Sequence, residues 1–116
     1  MKYEEWSHLA LGLRFRAGAM GVPFLPSLSM LGSDLMGVGS AKTMECPFTG
    51  EKVALVPALF PDVAVLHVHR ADRLGNCQID GYPHMDVDIA LASTTVLVTA
   101  EEIVSEEQIR SQPDRT

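Results

Sequence analysis

The chain has 116 residues, of which 47% are hydrophobic, and a formal net charge of -6, which is typical of one globular domain with a modest core. Its nine basic residues are scattered among 15 acidic ones, so the composition argues against nucleic acid or an anionic membrane surface as a partner. The two cysteines lack disulfide-framework or metal-motif spacing, and no signal-peptide pattern or long apolar span occurs, so we expect an unexported, cytoplasmic protein.

The first predicted element is an amphipathic helix from Glu4 to Met20. Apolar residues recur on one helical face at steps of three and four, at Trp6, Leu9, Leu13, Ala17 and Met20. Gly21 and Pro23 end this helix, because glycine tolerates the left-handed closing conformation and proline cannot continue the hydrogen-bond ladder. The next segment, 21–53, has neither helical nor alternating periodicity and is predicted to be a long loop, which in a compact domain is typically functional or disordered.

Short valine-rich segments predict strands in the second half of the chain. The segments 51–60 and 62–69 are bounded by proline and aspartate, and the second is nearly apolar on both faces. A Leu-Gly-Asn turn between Ala71 and Cys77 predicts a hairpin-like reversal into a short strand at 77–80.

Two short helices and a third strand complete the prediction. Asp86 or Asp88 is expected to cap a brief helix that runs through Ser93, and the β-branched segment 94–100 is expected to be a strand. A capping-box pattern at Ser105 predicts a final helix. Strands with intervening helices and near-continuous apolar runs indicate an α/β domain with a largely parallel sheet and flanking helices.

Two groups of titratable residues are possible sites. His67 and His69 point to one face of a strand and Asp72 follows them, so they could bind a metal or relay a proton, but further ligands are lacking and no metal is assigned. Glu101 and Glu102 follow the last predicted strand, at the end where open α/β sheets bind ligands. A solvated sheet edge before a helix is the simpler interpretation of these two carboxylates.

A series of segments, in unbroken order, carries a family resemblance. These segments are LRFRAGAMGVPFLP, SMLGSDL, CPFTGEKVALVPALFPDVAVLHVHRAD, GNCQIDG, DVDIALA and VTAEEIVSEEQIRSQPDRT. Together they resemble the α subunit of family I coenzyme A transferases, within the glutaconate-CoA-transferase-like branch.

The resemblance implies a subunit that pairs with a β subunit to move coenzyme A between carboxylic acids. The nucleophilic glutamate then belongs to the β subunit, the coenzyme A thioester is a substrate, and no cofactor is bound tightly. This chain would supply part of the acyl-pocket wall, with substrate contacts at Ser29, Met30, Gly32 and Ser33. Gly32 admits close backbone approach, and its N–H can face a thioester oxygen. Glu4 or Glu5, in the string EEWS, is the predicted pocket carboxylate.

The resemblance also implies that residues 1–116 form a single partial domain, the middle to C-terminal part of such a subunit. The glycine-rich coenzyme-site element and the C-terminal strands of the family have no counterpart in this sequence, so the isolated chain is predicted to be inactive. Unpaired strand edges then predict a homo- or hetero-oligomer. The alternatives are a thioester hydrolase or ring-cleavage subunit on the same scaffold, and a non-catalytic remnant or assembly module.

Overall fold

The computed structural model describes residues 3–115, which form two three-stranded sheets and a set of short helices. The helices are α1 His8–Met20, α2 Leu35–Val38, α3 Asp86–Ala92 and α4 Glu106–Arg110, followed by a 3₁₀ helix at Pro113–Arg115. The strands are β1 Phe24–Ser27, β2 Lys42–Glu45, β3 Lys52–Pro57, β4 Val63–Ala71, β5 Cys77–Gln78 and β6 Thr95–Ile103. The sheet orders are β1-β3-β2 and β5-β4-β6.

Helix α1 begins later than the periodicity predicts. The Ser7 hydroxyl accepts a hydrogen bond from the Ala10 N–H at 3.2 Å, which caps the helix, so the predicted start at Glu4 is wrong. The predicted end is confirmed, because Gly21 adopts a φ of 69° and its N–H bonds back to the last turn.

The predicted apolar face of α1 is confirmed in part: Ala17 is buried and Trp6 and Leu13 pack against the core, but Leu9 and Met20 do not. Ala10, Ala17 and Gly18 are buried, whereas Leu9 and Met20 are 57% and 58% exposed. Gly18 lies close to the Leu59 carbonyl and to Ala92 of α3, and Ala10 packs in the core with Ala54 and Val56 of β3, so small residues allow α1 to approach both neighbours.

The segment 21–53 is not one long loop, so that prediction is wrong. It contains β1, α2 and β2, and β1 and β2 pair antiparallel with the two sides of β3. The hairpin between β2 and β3 closes where the Gly50 N–H donates to the Cys46 carbonyl at 2.8 Å, with Gly50 at a φ of 72°. Four-residue strands are too short to show a period of their own, and their pairing with β3 defines them.

The second sheet contains a parallel ladder. β4 and β6 run parallel in register from Val63 opposite Thr95 to Ala71 opposite Ile103, and α3 forms the crossover between them. The ladders β1–β3, β2–β3 and β4–β5 are antiparallel. The mixed α/β class is therefore confirmed, but a largely parallel sheet is not, since of the ladders in residues 3–115 only β4–β6 is parallel.

The predicted N-terminal cap is wrong for α3 and confirmed for α4. Asp86 is the first residue of α3 and the side chain of the preceding residue makes no capping bond, so the predicted aspartate cap is wrong. The Ser105 hydroxyl accepts from the Gln108 N–H at 3.2 Å, which confirms the predicted start of α4.

One core cluster joins the first sheet to α1 and to the segment after β1. Its fully buried members are Ala10, Met30, Ala54 and Val56, and Trp6, Leu13, Leu31, Leu35, Met36 and Ala41 pack around them. Trp6 and the segment 28–41 thus pack on the same apolar cluster. Within residues 3–115, no helix has the length and apolar character needed to cross a membrane.

Candidate functional site

The predicted substrate-contact residues lie on an irregular turn between β1 and α2. Ser29, Gly32 and Ser33 are exposed, and the Ser33 hydroxyl donates to the Met30 carbonyl at 2.8 Å. Gly32 has a φ of 78°, and no atom lies within 4 Å of the position that a Cβ would occupy there. Its N–H has no hydrogen-bond partner among residues 3–115, so this turn presents an accessible backbone donor.

Met30 occupies a different environment from its neighbours. Its side chain is 1% exposed and belongs to the core cluster with Ala10 and Val56. The side chain therefore holds the turn in place, and a contact between Met30 and a substrate would have to use its backbone. The predicted substrate contact at this residue stays a prediction.

Glu4 is held by two contacts, one on each carboxylate oxygen, to the loop after α2 and to α1. Oε1 accepts a hydrogen bond from the Ser40 N–H at 2.6 Å, and Oε2 lies 3.4 Å from Nη1 of Arg14. The pKa of Glu4 lies below its usual value, first because Ser40 donates to the charged form. The buried indole N–H of Trp6 makes no full hydrogen bond, but it lies close enough to Glu4 to favour the carboxylate as well.

The structure separates Glu4 from Glu5. The Glu5 side chain is exposed and has no ion-pair or hydrogen-bond partner within residues 3–115, whereas Glu4 bridges α1 and the turn after α2. Between the two predicted pocket carboxylates, Glu4 is the one whose position is fixed.

Two residues of this site, Arg14 and Ser40, are not predicted from the sequence. Arg14 lies four residues after Ala10 and three before Ala17, so it shares a helical stripe with two fully buried alanines. A charged side chain on a buried stripe indicates that an opposite charge or a hydrogen-bond acceptor lies nearby. In the structure the Arg14 side chain is only 13% exposed. Ser40 carries no such signal, because its backbone N–H makes the contact.

The two histidines do not gather with Asp72. Nδ1 of His67 lies 2.9 Å from the Thr99 hydroxyl and its Nε2 lies 3.6 Å from Glu101. Nδ1 of His69 accepts instead from the Asp80 N–H at 3.1 Å. Among the described residues, no group of three or more histidine, cysteine or acidic side chains is placed to hold a metal ion.

Asp72 has a local structural role. Its carboxylate accepts from the backbone N–H groups of Leu74 and Asn76 and from the Asn76 side chain, which confirms the predicted turn before β5. These donors, with Asn76 foremost, lower the pKa of Asp72 from its usual value.

Glu101 and Glu102 lie inside β6, which continues to Ile103, so the prediction that they follow the last strand is wrong. Both carboxylates are exposed and lie near basic groups. The Glu101 side chain is 60% exposed and reaches His67, and Glu102 lines a small polar pocket with Arg70 and Arg115. Asp80 pairs with both arginines, and the hydrogen bond from Arg70 holds the pKa of Asp80 below its usual range. Asp80, Arg70 and Arg115 therefore form a structural ion-pair network.

An apolar groove of about 900 Å³ lies between the second sheet and α3. Its lining includes Leu66, Val68, Val96, Val98, Val87 and Leu91. None of the predicted substrate-contact residues lines it, so the Glu4 site and this groove are separate features.

Comparison with known proteins identifies the family. The family model for "Coenzyme A transferase" matches residues 1–115. The chain is 42% identical over 107 residues to the A subunit of 3-oxoadipate CoA-transferase from Pseudomonas knackmussii, which covers 91% of this chain and 38% of the relative. It is 36% identical over 129 residues to the A subunit of glutaconate CoA-transferase from Acidaminococcus fermentans, covering 97% of this chain and 40% of the relative.

A structural match and a more distant relative agree with this grouping. The crystal structure of the Acidaminococcus fermentans glutaconate coenzyme A-transferase superposes with a TM-score of 0.88 at 36% identity, covering 97% of this chain and 41% of that one. The cholesterol ring-cleaving hydrolase IpdA subunit of Rhodococcus jostii is 30% identical over 101 residues, which is 80% of this chain and 34% of the relative. The chain spans between 25% and 40% of the length of the curated relatives it matches. Because the family model covers almost the whole sequence, the chain belongs to the coenzyme A transferase family.

Proposed function

We propose that this chain is part of the α subunit of an acyl-CoA:carboxylate coenzyme A transferase that works in the cytoplasm with a partner β subunit. The superposition on glutaconate coenzyme A-transferase, with a TM-score of 0.88 over 97% of the chain, carries this proposal. The names of two relatives, 3-oxoadipate and glutaconate CoA-transferase, favour a dicarboxylic acid as one of the substrates.

In this proposal the covalent step takes place on the partner. A β-subunit glutamate attacks the thioester carbonyl, the carbon–sulfur bond breaks, and the coenzyme A thiolate leaves as an acyl anhydride forms. The negative charge that develops on the thioester oxygen requires preorganised donors.

The chain contributes a wall of the acyl pocket around the turn 29–33. The unpaired N–H of Gly32 is a suitable donor to a thioester oxygen, and the exposed hydroxyls of Ser29 and Ser33 can contact the acyl group. Glu4 is bound to the Ser40 N–H in the loop after α2, and we assign it as the pocket carboxylate. A glutamate is negatively charged at neutral pH and the lowered pKa of Glu4 favours that form further, so we assign it an accepting or electrostatic role.

The test is reconstitution with a candidate β subunit. Glutaryl-CoA and acetate are mixed with the two chains, and the acetyl-CoA formed is measured by chromatography. We expect turnover in the complex, no turnover with either chain by itself, and a clear loss with Glu4→Gln but not with Glu5→Gln. Lack of turnover with every partner would favour the remnant or assembly module.

A thioester hydrolase or ring-cleavage subunit is the second proposal, since one relative is named as a ring-cleaving hydrolase subunit. The two reactions differ in the acceptor, because water replaces the carboxylic acid. In the same assay, a hydrolase releases free coenzyme A thiol even when acetate is left out. A transferase requires the acetate, and the total concentration of thioester does not change.

A further inference from the structure

Arg14 is tied to three different parts of the molecule. Its Nε donates to the Pro57 carbonyl at 3.1 Å, its Nη1 lies 3.4 Å from Oε2 of Glu4, and its guanidinium carbon stands 4.4 Å from the centre of the Trp6 ring. A planar guanidinium can do all three at once, because its donors point in fixed directions and its face stacks on aromatic rings. A lysine in the same place would keep the positive charge, but its ammonium group could not make the three contacts together.

Glu4 depends on such contacts for its position. It lies before the cap of α1, in a stretch with no helix or strand pairing, so backbone hydrogen bonds do not fix it. The Ser40 N–H holds one oxygen and Arg14 holds the other, and the side chain remains 36% exposed. The carboxylate is therefore oriented on two sides while part of it faces solvent.

Arg14 is in turn well anchored. It lies inside α1, and its own carbonyl accepts from the Leu59 N–H at 3.0 Å just after β3. With the Pro57 carbonyl bound to its Nε, the arginine connects α1 to the end of β3 on both main chain and side chain. The rigid part of the fold is thus connected to Glu4 through one side chain.

We propose that Arg14 is the positioning residue for Glu4, holding its carboxylate in a single orientation against the segment that ends at Ser40. The proposal rests on the proposed function only in giving Glu4 a role in the pocket; the placement itself is independent of it. Loss of Arg14 then leaves Glu4 with the hydrogen bond from the Ser40 N–H and the nearby indole N–H of Trp6, and removes the positive charge beside it.

The experiment compares Arg14→Met and Arg14→Lys with Arg16→Met as the matched control. Arg16 lies on the same helix and makes an exposed ion pair with Asp88 rather than with Glu4. The pKa of Glu4 is measured by carbon-13 NMR titration of the side-chain carboxyl, assigned with Glu4→Gln, and circular dichroism checks that each variant is folded.

Hydrogen bonding from Ser40 and Trp6 lowers the pKa of Glu4 more than the charge of Arg14 does. We therefore expect Arg14→Met to raise this pKa by a small amount, Arg14→Lys to raise it less, and Arg16→Met to leave it unchanged. In a reconstituted complex, Arg14→Met should lower kcat on the order of 10²-fold, as misplacement of a pocket group can do, with partial recovery in Arg14→Lys. An unchanged Glu4 pKa in folded Arg14→Met overturns the inference, whatever the activity. A raised pKa with unaltered turnover keeps Arg14 as the positioning residue and removes Glu4 from the reaction.

Discussion

Replacement of Gly18 by alanine tests the close packing of α1 against its neighbours. A Cβ on Gly18 would lie 2.3 Å from the Leu59 carbonyl oxygen and 3.0 Å from the Cβ of Ala92. The first of these is a backbone atom, and its residue is tied to α1 through the hydrogen bond from the Leu59 N–H to Arg14. The helix cannot simply move away, so the strain has to be stored in the structure.

The expected loss follows from two opposing effects. Overpacking costs about 1–3 kcal/mol, and a fixed backbone neighbour places this site near the upper value. Alanine recovers about 1 kcal/mol through its better helix propensity. The net loss is about 2 kcal/mol, which for a domain of this size lowers Tm by roughly 8 °C.

Gly12→Ala on the same helix is the control. A Cβ there would lie 3.2 Å from Sδ of Met85, the flexible end of a side chain that can rotate aside. We expect Gly12→Ala to be neutral or to gain up to about 1 kcal/mol. Thermal and urea unfolding followed by circular dichroism compare the two variants, and equal stability of Gly18→Ala and Gly12→Ala would refute the packing argument.

Two further predictions concern acid stability and association. The lowered pKa of Asp72 means that its turn stabilises the fold above the usual aspartate pKa of about 3.9, and that this stability is lost as pH falls through the folded-state value. Between about pH 2 and 6, the free energy of unfolding in urea should therefore fall less steeply with decreasing pH for Asp72→Asn than for the wild-type chain. The same pH dependence in both proteins would contradict this. The chain is also expected to self-associate through β6, whose residues Leu97 and Val98 are 54% and 40% exposed. A monomer by light scattering that binds no hydrophobic dye would count against that expectation.

The elements that could be predicted from the sequence are those with local signals. Gly21 ends α1 and Ser105 begins α4 because each supplies its own backbone conformation or hydrogen bond. Long apolar strands such as β4 and β6 can also be recognised by their composition. In contrast, β1 and β2 exist because β3 pairs with them, and the direction of each ladder depends on the connection between strands.

In the candidate site, too, local sequence signals predict some residues, whereas contacts between distant parts of the chain define the others. The string EEWS indicates a carboxylate but does not separate Glu4 from Glu5, because the distinguishing partner, Ser40, is 36 residues away. Arg14 could have been predicted from the stripe it shares with Ala10 and Ala17. The burial of Met30 could not, since no pattern around it indicates which side of the turn faces the core.

The parallel ladder between β4 and β6 has a consequence for how the chain folds. His67 and Thr99, which face each other across it, are 32 residues apart, so the pair forms only after a long loop closes and α3 is in place. The β2–β3 hairpin reverses within a few residues and can form within microseconds. Refolding is therefore expected to begin in the first sheet. The pairing of β6 with β4 is expected to be the slow final step.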